Sequence, residues 1–462
     1  MFALPGILAT IFIIYLRPQE VFTDLARVPL LYIFLGMSLF GLALDLKLRL
    51  SRPAAAPQLT LVLLYIIWCA ITLVVNVTPD VAFSGIIDTM IPLVLYLIVA
   101  HGVQTFRAMQ TVGVLILGIC LFLAYIGVDQ RFGERGCHAL TVGSDRDGVY
   151  DGRSCETKRE CEIDSPEPGT EYICEYVGKL HTSSVGLRVR YRGVLADPNE
   201  LSLALGVSLP FAFALLERKR NSARIALLLV SLGMIGLCTV YTQSRGGQLV
   251  FLSVLGTYFV RRYGWKGIAL GAIAAVPMLM FGGRSGEEAE GSSQERLECW
   301  LTGIELWRST PIFGVGKGLF TEYHFLTAHN AYVLAPAETG IVGMWLWTSI
   351  VYLSVKIPAM VLKRASETVE GAVSTIAPVA KTWAVAMLAA MVGMVVGIFF
   401  LSFCYHYVLW IYFGLCGALY AAVRAHDPSF EVKISLRELL VVLAVDFGLI
   451  GVIYAYTRMK VG

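Results

Sequence analysis

Thirteen stretches of this chain are apolar for long enough, or nearly long enough, to cross a bilayer: 2–16, 28–46, 58–75, 84–101, 109–128, 199–216, 225–242, 247–260, 267–282, 340–362, 382–402, 404–423 and 437–457. A spanning helix needs roughly 17–25 predominantly apolar residues. No other feature constrains the fold as much, because a backbone in hydrocarbon must satisfy its own hydrogen bonds as helix or closed barrel. Composition agrees: 56% of residues are hydrophobic and 15% charged, where soluble domains carry about 25% charge. A cytosolic globular enzyme, a disordered chain and a nucleic-acid binder are excluded. The net charge of +3 favours no polyanionic partner. No cleavable leader is expected, since the first segment lacks a basic start and runs into Arg17-Pro18-Gln19.

The expected fold is therefore all-α, a polytopic membrane bundle of about 12–13 helices. Its expected parts are N-terminal transmembrane helices (1–128), a Cys-rich loop (129–198), central helices (199–282), a second long loop (283–339) and C-terminal helices (340–462). The two long loops lie between segments of opposite direction, so both face the same side. With that side outside, most Lys and Arg of the short loops, such as Lys47, Arg107, Lys219, Arg261 and Lys363, fall inside, as the positive-inside rule asks. The tail residues Arg458 and Lys460 fall on the other side.

Cysteines locate the first loop. Cys69, Cys120, Cys238, Cys404 and Cys416 lie in or beside apolar segments and read as packing residues; Cys299 stands alone in the second loop. Cys137, Cys155, Cys161 and Cys174 crowd into a short polar stretch. Four such Cys imply two disulfides with three pairings open, and disulfides persist only in oxidising compartments. A zinc site is the alternative; its usual close Cys-x-x-Cys pairs are absent. The run Ser144-Asp145-Arg146-Asp147-Gly148-Val149-Tyr150-Asp151 has the alternate acids of a calcium loop, but its first ligand would fall on Gly143. Asp-x-Asp also suits a nucleotide-sugar transferase, and a solvated turn is the plainest reading.

Short polar runs recur at the outer ends of helices or in the outer loops: Arg192-Gly193-Val194-Leu195-Ala196-Asp197-Pro198-Asn199-Glu200-Leu201, Gln243-Ser244-Arg245-Gly246-Gly247, Arg296-Leu297-Glu298-Cys299-Trp300, Pro311-Ile312-Phe313-Gly314-Val315-Gly316-Lys317-Gly318, and His329-Asn330 followed after nine residues by Gly340-Ile341-Val342-Gly343. Arg245 stands in a short turn between apolar helices, where a guanidinium needs a partner or a polar cavity. Arg binds phosphate with a planar fork. His329 can take a proton from an alcohol. His324, five residues earlier, does not share a helix face with it, so a two-His metal pair is not expected.

In order and spacing these runs resemble the O-antigen ligase and O-antigen polymerase superfamily of bacterial envelope glycan enzymes, over about 160 residues from Arg192 to Gly343. The ligase form of that family often ends the last motif with two Thr, where this chain has Met344 and Trp345. Arg17-Pro18-Gln19 is similar to members linked to exopolysaccharide or exosortase loci. The resemblance implies a GT-C-like bundle that moves a saccharide from polyprenyl (undecaprenyl) diphosphate to a hydroxyl on a glycan, lipid A-core or protein. It implies work at the periplasmic face of the inner membrane, with polysaccharide assembly partners, no nucleotide sugar, no cofactor and no metal. His329, Arg245 and Arg296 are then the expected catalytic residues, with His329 as general base. Arg192, Arg245, Arg296 and Lys317 are expected to bind the donor diphosphate, Asn330 to orient, and Glu295, Glu298 and Glu338 to be lesser base candidates. A polysaccharide transporter or flippase is the alternative; Asp88 and Asp446 are its candidate buried acids.

Overall fold

Long apolar runs can close their backbone hydrogen bonds only within themselves when water is absent, and they do so here. A computed structural model describes residues 2–53, 56–140, 148–163, 170–264, 266–267, 269, 287–367 and 372–461. The helices among them are α1 (Ala3–Leu16), α2 (Leu30–Lys47), α3 (Leu59–Asn76), α4 (Pro79–Gly102), α5 (Phe106–Arg131), α6 (Lys158–Ile163), α7 (Pro198–Arg218), α8 (Ser222–Tyr241), α9 (Arg245–Tyr263), α10 (Glu287–Ser309), α11 (Ala331–Ser366), α12 (Ala372–Gly397), α13 (Tyr407–Arg424) and α14 (Leu436–Val461). Ten of the described helices are long and apolar enough to cross a membrane: α2, α3, α4, α5, α7, α8, α11, α12, α13 and α14. They coincide with ten of the thirteen apolar segments. The segment 2–16 forms the shorter α1, and 247–260 lies within α9. Most of 267–282 lies outside the described residues.

The bundle has an inside and an outside. α13 is buried continuously from Val408 to Val423, packed against α4 and α11. α7 is almost as enclosed, between α8, α9 and α12. α2, α8 and α14 instead expose large apolar side chains such as Phe40, Leu229 and Val445. An apolar face of that extent is untenable in water and ordinary in lipid. The chain is a multi-pass membrane protein.

One element departs from helix. Within the Cys-rich loop, β1 (Arg135–Ala139), β2 (Val149–Ser154), β3 (Tyr172–Gly178) and β4 (Thr182–Ser183) form an antiparallel sheet in the order β2-β1-β3-β4. Cys137 and Cys174 are register partners on β1 and β3, so both side chains leave the same face. They do not join each other. Cys137 bonds Cys161 of α6, and Cys155 bonds Cys174. The four Cys and Tyr172 are the core of this small unit, which has too few apolar residues to build one otherwise. Cys137, Cys155 and Cys161 lie close enough together to suggest a metal group, but their sulfurs are joined in the disulfides. Residues 144–147 of the acidic run lie outside the described residues; Asp151 pairs with Arg153 at 2.7 Å.

Candidate active site

α11 breaks where two sequence runs meet. At Gly340 the backbone turns to φ 65°, ψ −174°, which frees the preceding carbonyls from the helix. The Pro311–Gly318 turn collects two of them: Val315 N–H donates to Ala337 and Gly316 N–H to Glu338, each at 2.9 Å. Trp68 Nε1–H takes the third, on Thr339, at 2.8 Å. Ile341 N–H answers by donating to Pro311 O at 2.9 Å. A Cβ on Gly340 would stand 1.9 Å from Ile312 O, and one on Gly314 would stand 2.4 Å from the Glu338 carbonyl carbon. The glycines in both runs therefore serve one close backbone contact.

Helix starts account for three more runs. Asp197 caps α7, its Oδ1 accepting from Asn199 N–H at 2.6 Å, with Pro198 in the first turn. Ser244 caps α9, its Oγ accepting from Gly247 N–H at 3.0 Å. Asn330 caps α11, its Oδ1 accepting from Tyr332 N–H at 2.9 Å. Asn330 is fully buried, and among the described residues its Nδ2 has no hydrogen-bond partner. Small residues at the start of α9 let the helices close: a Cβ at Gly247 would lie 2.0 Å from Ser202 Oγ, and one at Gly246 would press on Phe400 at 3.1 Å.

The N-termini of α7 and α11 open onto a cavity of about 640 Å³ between the two long loops. Arg188, Arg190 and Asn199 line it from the first loop and α7, and Glu295, Arg296 and His329 from the second. On α10, Ser292, Glu295 and Arg296 share one face by helical spacing. His329 adopts φ 47°, a left-handed conformation unusual for a residue with a side chain. It is pinned there: its N–H donates to Ser402 Oγ at 2.9 Å, and Ser402 also meets the Thr327 hydroxyl at 2.6 Å. The same α12–α13 connection holds the first loop, through His406 Nε2 against Val194 O at 2.9 Å. Helix N-termini and guanidinium groups together favour an anion.

The sequence candidates divide in space. Arg296 and His329 share this cavity. Arg192 lines a neighbouring cavity and holds the carbonyls of Glu20 (2.5 Å) and Leu180. Arg17 packs against the same turn: a Cβ on Gly193, at φ 57°, would meet its Nε at 2.4 Å. Arg245 is exposed in the first turn of α9 and, among the described residues, is not part of the cavity wall. Lys317 Nζ lies 5.1 Å above the Tyr405 ring, near buried Glu338. Glu338 Oε1 accepts from Phe320 N–H at 3.2 Å. Glu298 is exposed on α10 and accepts from Gln294. Asp88, a candidate buried acid, is exposed, whereas Asp446 is buried and accepts from Thr348 at 2.8 Å.

Two cavity arginines were not anticipated. Arg188 and Arg190 are almost wholly buried. Arg188 donates to Thr242 O at 2.9 Å and to Asn199 Oδ1 at 3.2 Å, which ties it to the turn that carries Arg245. Arg190 donates to Ser183 O at 3.0 Å. Their signal was the alternation Arg188-Val189-Arg190-Tyr191-Arg192, which in an extended chain sends the three guanidinium groups toward one side. Nearby, burial pushes the Cys299 thiol up to about 11, so it stays protonated and packs against His324 (3.7 Å) rather than acting as a thiolate.

No curated protein matches the chain. Residues 227–348, from α8 through the break in α11, match the family model described as O-antigen ligase. That stretch contains Arg245, Arg296, Lys317, His329 and Asn330, and its match supports the O-antigen ligase superfamily for this chain.

Proposed function

We propose that this protein is a glycosyltransferase of the ligase or polymerase kind, moving a saccharide from undecaprenyl diphosphate to a hydroxyl acceptor at the outer, periplasmic face of the bacterial inner membrane. One observation carries the reading: a single cavity brings Arg188, Arg190 and Arg296 together with His329, from two loops far apart in sequence. The disulfides support the periplasmic side, because the loop that contributes Arg188 and Arg190 also carries them.

The chemistry follows from the residue types. His329 accepts the proton of the acceptor hydroxyl as its oxygen forms a bond to C1 of the sugar. The C1–O bond to the diphosphate breaks, and its electron pair leaves with the diphosphate. Fixed cations aimed at that growing charge stabilise the transition state more than the ground state, worth several kcal/mol in a dry site. Attack opposite the leaving group inverts C1. Three guanidinium groups supply the charge that a metal ion supplies in other transferases, so turnover is expected in excess EDTA.

The test is reconstitution in nanodiscs with an undecaprenyl-diphosphate-linked saccharide, an acceptor glycan and EDTA. Transfer with release of undecaprenyl diphosphate is expected. Strict dependence on added magnesium or manganese would overturn the arginine-based mechanism. Translocation of the lipid-linked donor across vesicles, with no new glycosidic bond, would make the protein a flippase.

A further inference from the structure

The disulfide-linked sheet lies outside the matched family region, yet its strand β3 braces part of the wall of the cavity that holds Arg188, Arg296 and His329. Cys174 and Glu175 are successive on β3, so their side chains leave opposite faces. Cys174 goes to the sulfur core and its bond with Cys155. Glu175, only 6% exposed, goes to the turn 184–188. Its carboxylate accepts from the Ser184 hydroxyl, from Gly186 N–H at 2.6 Å and from Leu187 N–H at 2.9 Å. Ser184 in turn is tied back to the strand: its N–H donates to Tyr176 O at 3.1 Å, and its Oγ accepts from Tyr176 N–H at 2.8 Å.

That turn does not form easily. Val185 N–H donates to Arg188 O at 3.0 Å and Arg188 N–H to Val185 O at 3.1 Å, so two residues alone, Gly186 and Leu187, connect them. A two-residue connection with positive φ at both positions is the mirror-image hairpin turn. Gly186 adopts φ 55° and Leu187 φ 60°. Glycine does so freely. Leucine holds such a conformation only where its neighbours over-determine it. Here the N–H groups of both turn residues converge on one carboxylate, and bonds to an ionised acceptor are the strong kind.

The turn ends on Arg188, and Val185, Gly186 and Arg188 all line the cavity. Thr242 O and Asn199 Oδ1 hold the guanidinium end of Arg188; the turn sets its backbone end. We propose that Glu175 is a positioning residue: it keeps the turn in its left-handed form and thereby aims Arg188 at the anionic group bound in the cavity. Glu175 acts through Arg188 and is not itself a catalytic group. The inference rests on the glycan-transfer reading for the identity of that group, a diphosphate, and it gives the Cys-rich sheet a part in the reaction.

The test uses the full chain in nanodiscs and reads binding as well as transfer. The binding probe is undecaprenyl diphosphate, which carries the charge that the leaving group acquires. Glu175→Gln keeps the side chain's size, loses its charge and turns an N–H donor toward the N–H groups of the turn. With both disulfides intact by mass mapping, it should weaken probe binding by about tenfold. It should also lower kcat by at least about tenfold, with acceptor KM unchanged. Leu187→Gly relieves the strain, so that the turn forms without the carboxylate. Added to Glu175→Gln, it should restore most of the binding and of kcat, a repair that a general loss of sheet stability would not show. Combined with Arg188→Lys, Glu175→Gln should add little further loss, since both act on one group. Wild-type binding and kcat in Glu175→Gln, no rescue by Leu187→Gly, or losses that simply add to those of Arg188→Lys would each overturn the inference. Probe binding that follows the expected pattern in a protein that forms no glycosidic bond would overturn the glycan-transfer reading and leave the role of Glu175 standing.

Discussion

Gly316 N–H donates to Glu338 O at 2.9 Å, so two runs separated by more than twenty residues form one structure. The helix carrying Glu338 breaks at Gly340, and the glycine turn caps the carbonyls that the break exposes. Without such partners the break would leave several buried acceptors unmet, each costing roughly 1–3 kcal/mol. The co-occurrence of Pro-x-x-Gly-x-Gly with Gly-x-x-Gly is therefore a folding requirement.

Gly340→Ala should accordingly cripple the protein. The new methyl would meet Ile312 O at 1.9 Å, at a φ that alanine rarely adopts. Thermal unfolding in detergent should show a large drop in Tm or no recoverable protein. Gly233→Ala on α8 is the control, because nothing lies within 4 Å of its Cβ direction, and it should be neutral or stabilise by up to about 1 kcal/mol. Equal behaviour of the two variants would show that the 311–341 contact is not formed.

His329→Ala should lower the transfer rate by about 10²–10⁴, the usual cost of losing a general base, while donor binding stays near wild type. Single-turnover transfer and donor titration separate the two effects. A folded His329→Ala protein with normal turnover would move the base to Glu295, which shares the cavity.

Arg296→Lys keeps a charge and loses the fork, so it should recover little of the activity lost in Arg296→Ala. Arg188→Lys should behave alike and also loosen the contact to Thr242 and Asn199. The readout is kcat for transfer with an unchanged acceptor. Full activity in both lysine variants would mean that point charge alone suffices.

Mass mapping of unreduced protein should return Cys137–Cys161 and Cys155–Cys174. Removing one bridge from so small a unit should cost about 2–4 kcal/mol locally, read as faster proteolysis within 135–183. Recovery of free thiols at all four positions in periplasm-exposed protein would remove the argument for its side of the membrane.

Burial holds the His138 imidazole below its ordinary value of 6.5, outweighing the Gly148 carbonyl and the acids Glu175 and Asp151, with Arg190 pushing the same way as burial. The folded sheet thus binds fewer protons here than the unfolded chain. The stability this contributes is present above the unfolded value and is lost as pH falls from 6.5 through the folded one. Hydrogen exchange in β1 should speed up over that window. His138→Gln should flatten the dependence, and an unchanged profile in that variant would assign it to another group.

Hydropathy by itself determined the bundle. Ten of the thirteen apolar segments are membrane-length helices, because a lipid-embedded backbone has no alternative partner. The crowding of Cys137, Cys155, Cys161 and Cys174 announced two bridges, but only the sheet selected a pairing: β1 and β3 place Cys137 opposite Cys174, and each reaches past the other to α6 or to the end of β2. The strands themselves were hidden, since Val149-Tyr150-Asp151-Gly152-Arg153-Ser154 has no clean apolar alternation and its core is sulfur rather than hydrocarbon. The motifs marked Arg192, Arg245, Arg296, Lys317 and His329 as one set, yet the tertiary structure brings Arg296 and His329 to one cavity with Arg188 and Arg190, and sends Arg192 to another. A sequence motif records which residues are needed together. Which of them face one another depends on long-range contacts such as Arg188 with Thr242 and His329 with Ser402, and no local pattern encodes a distance between segments that far apart.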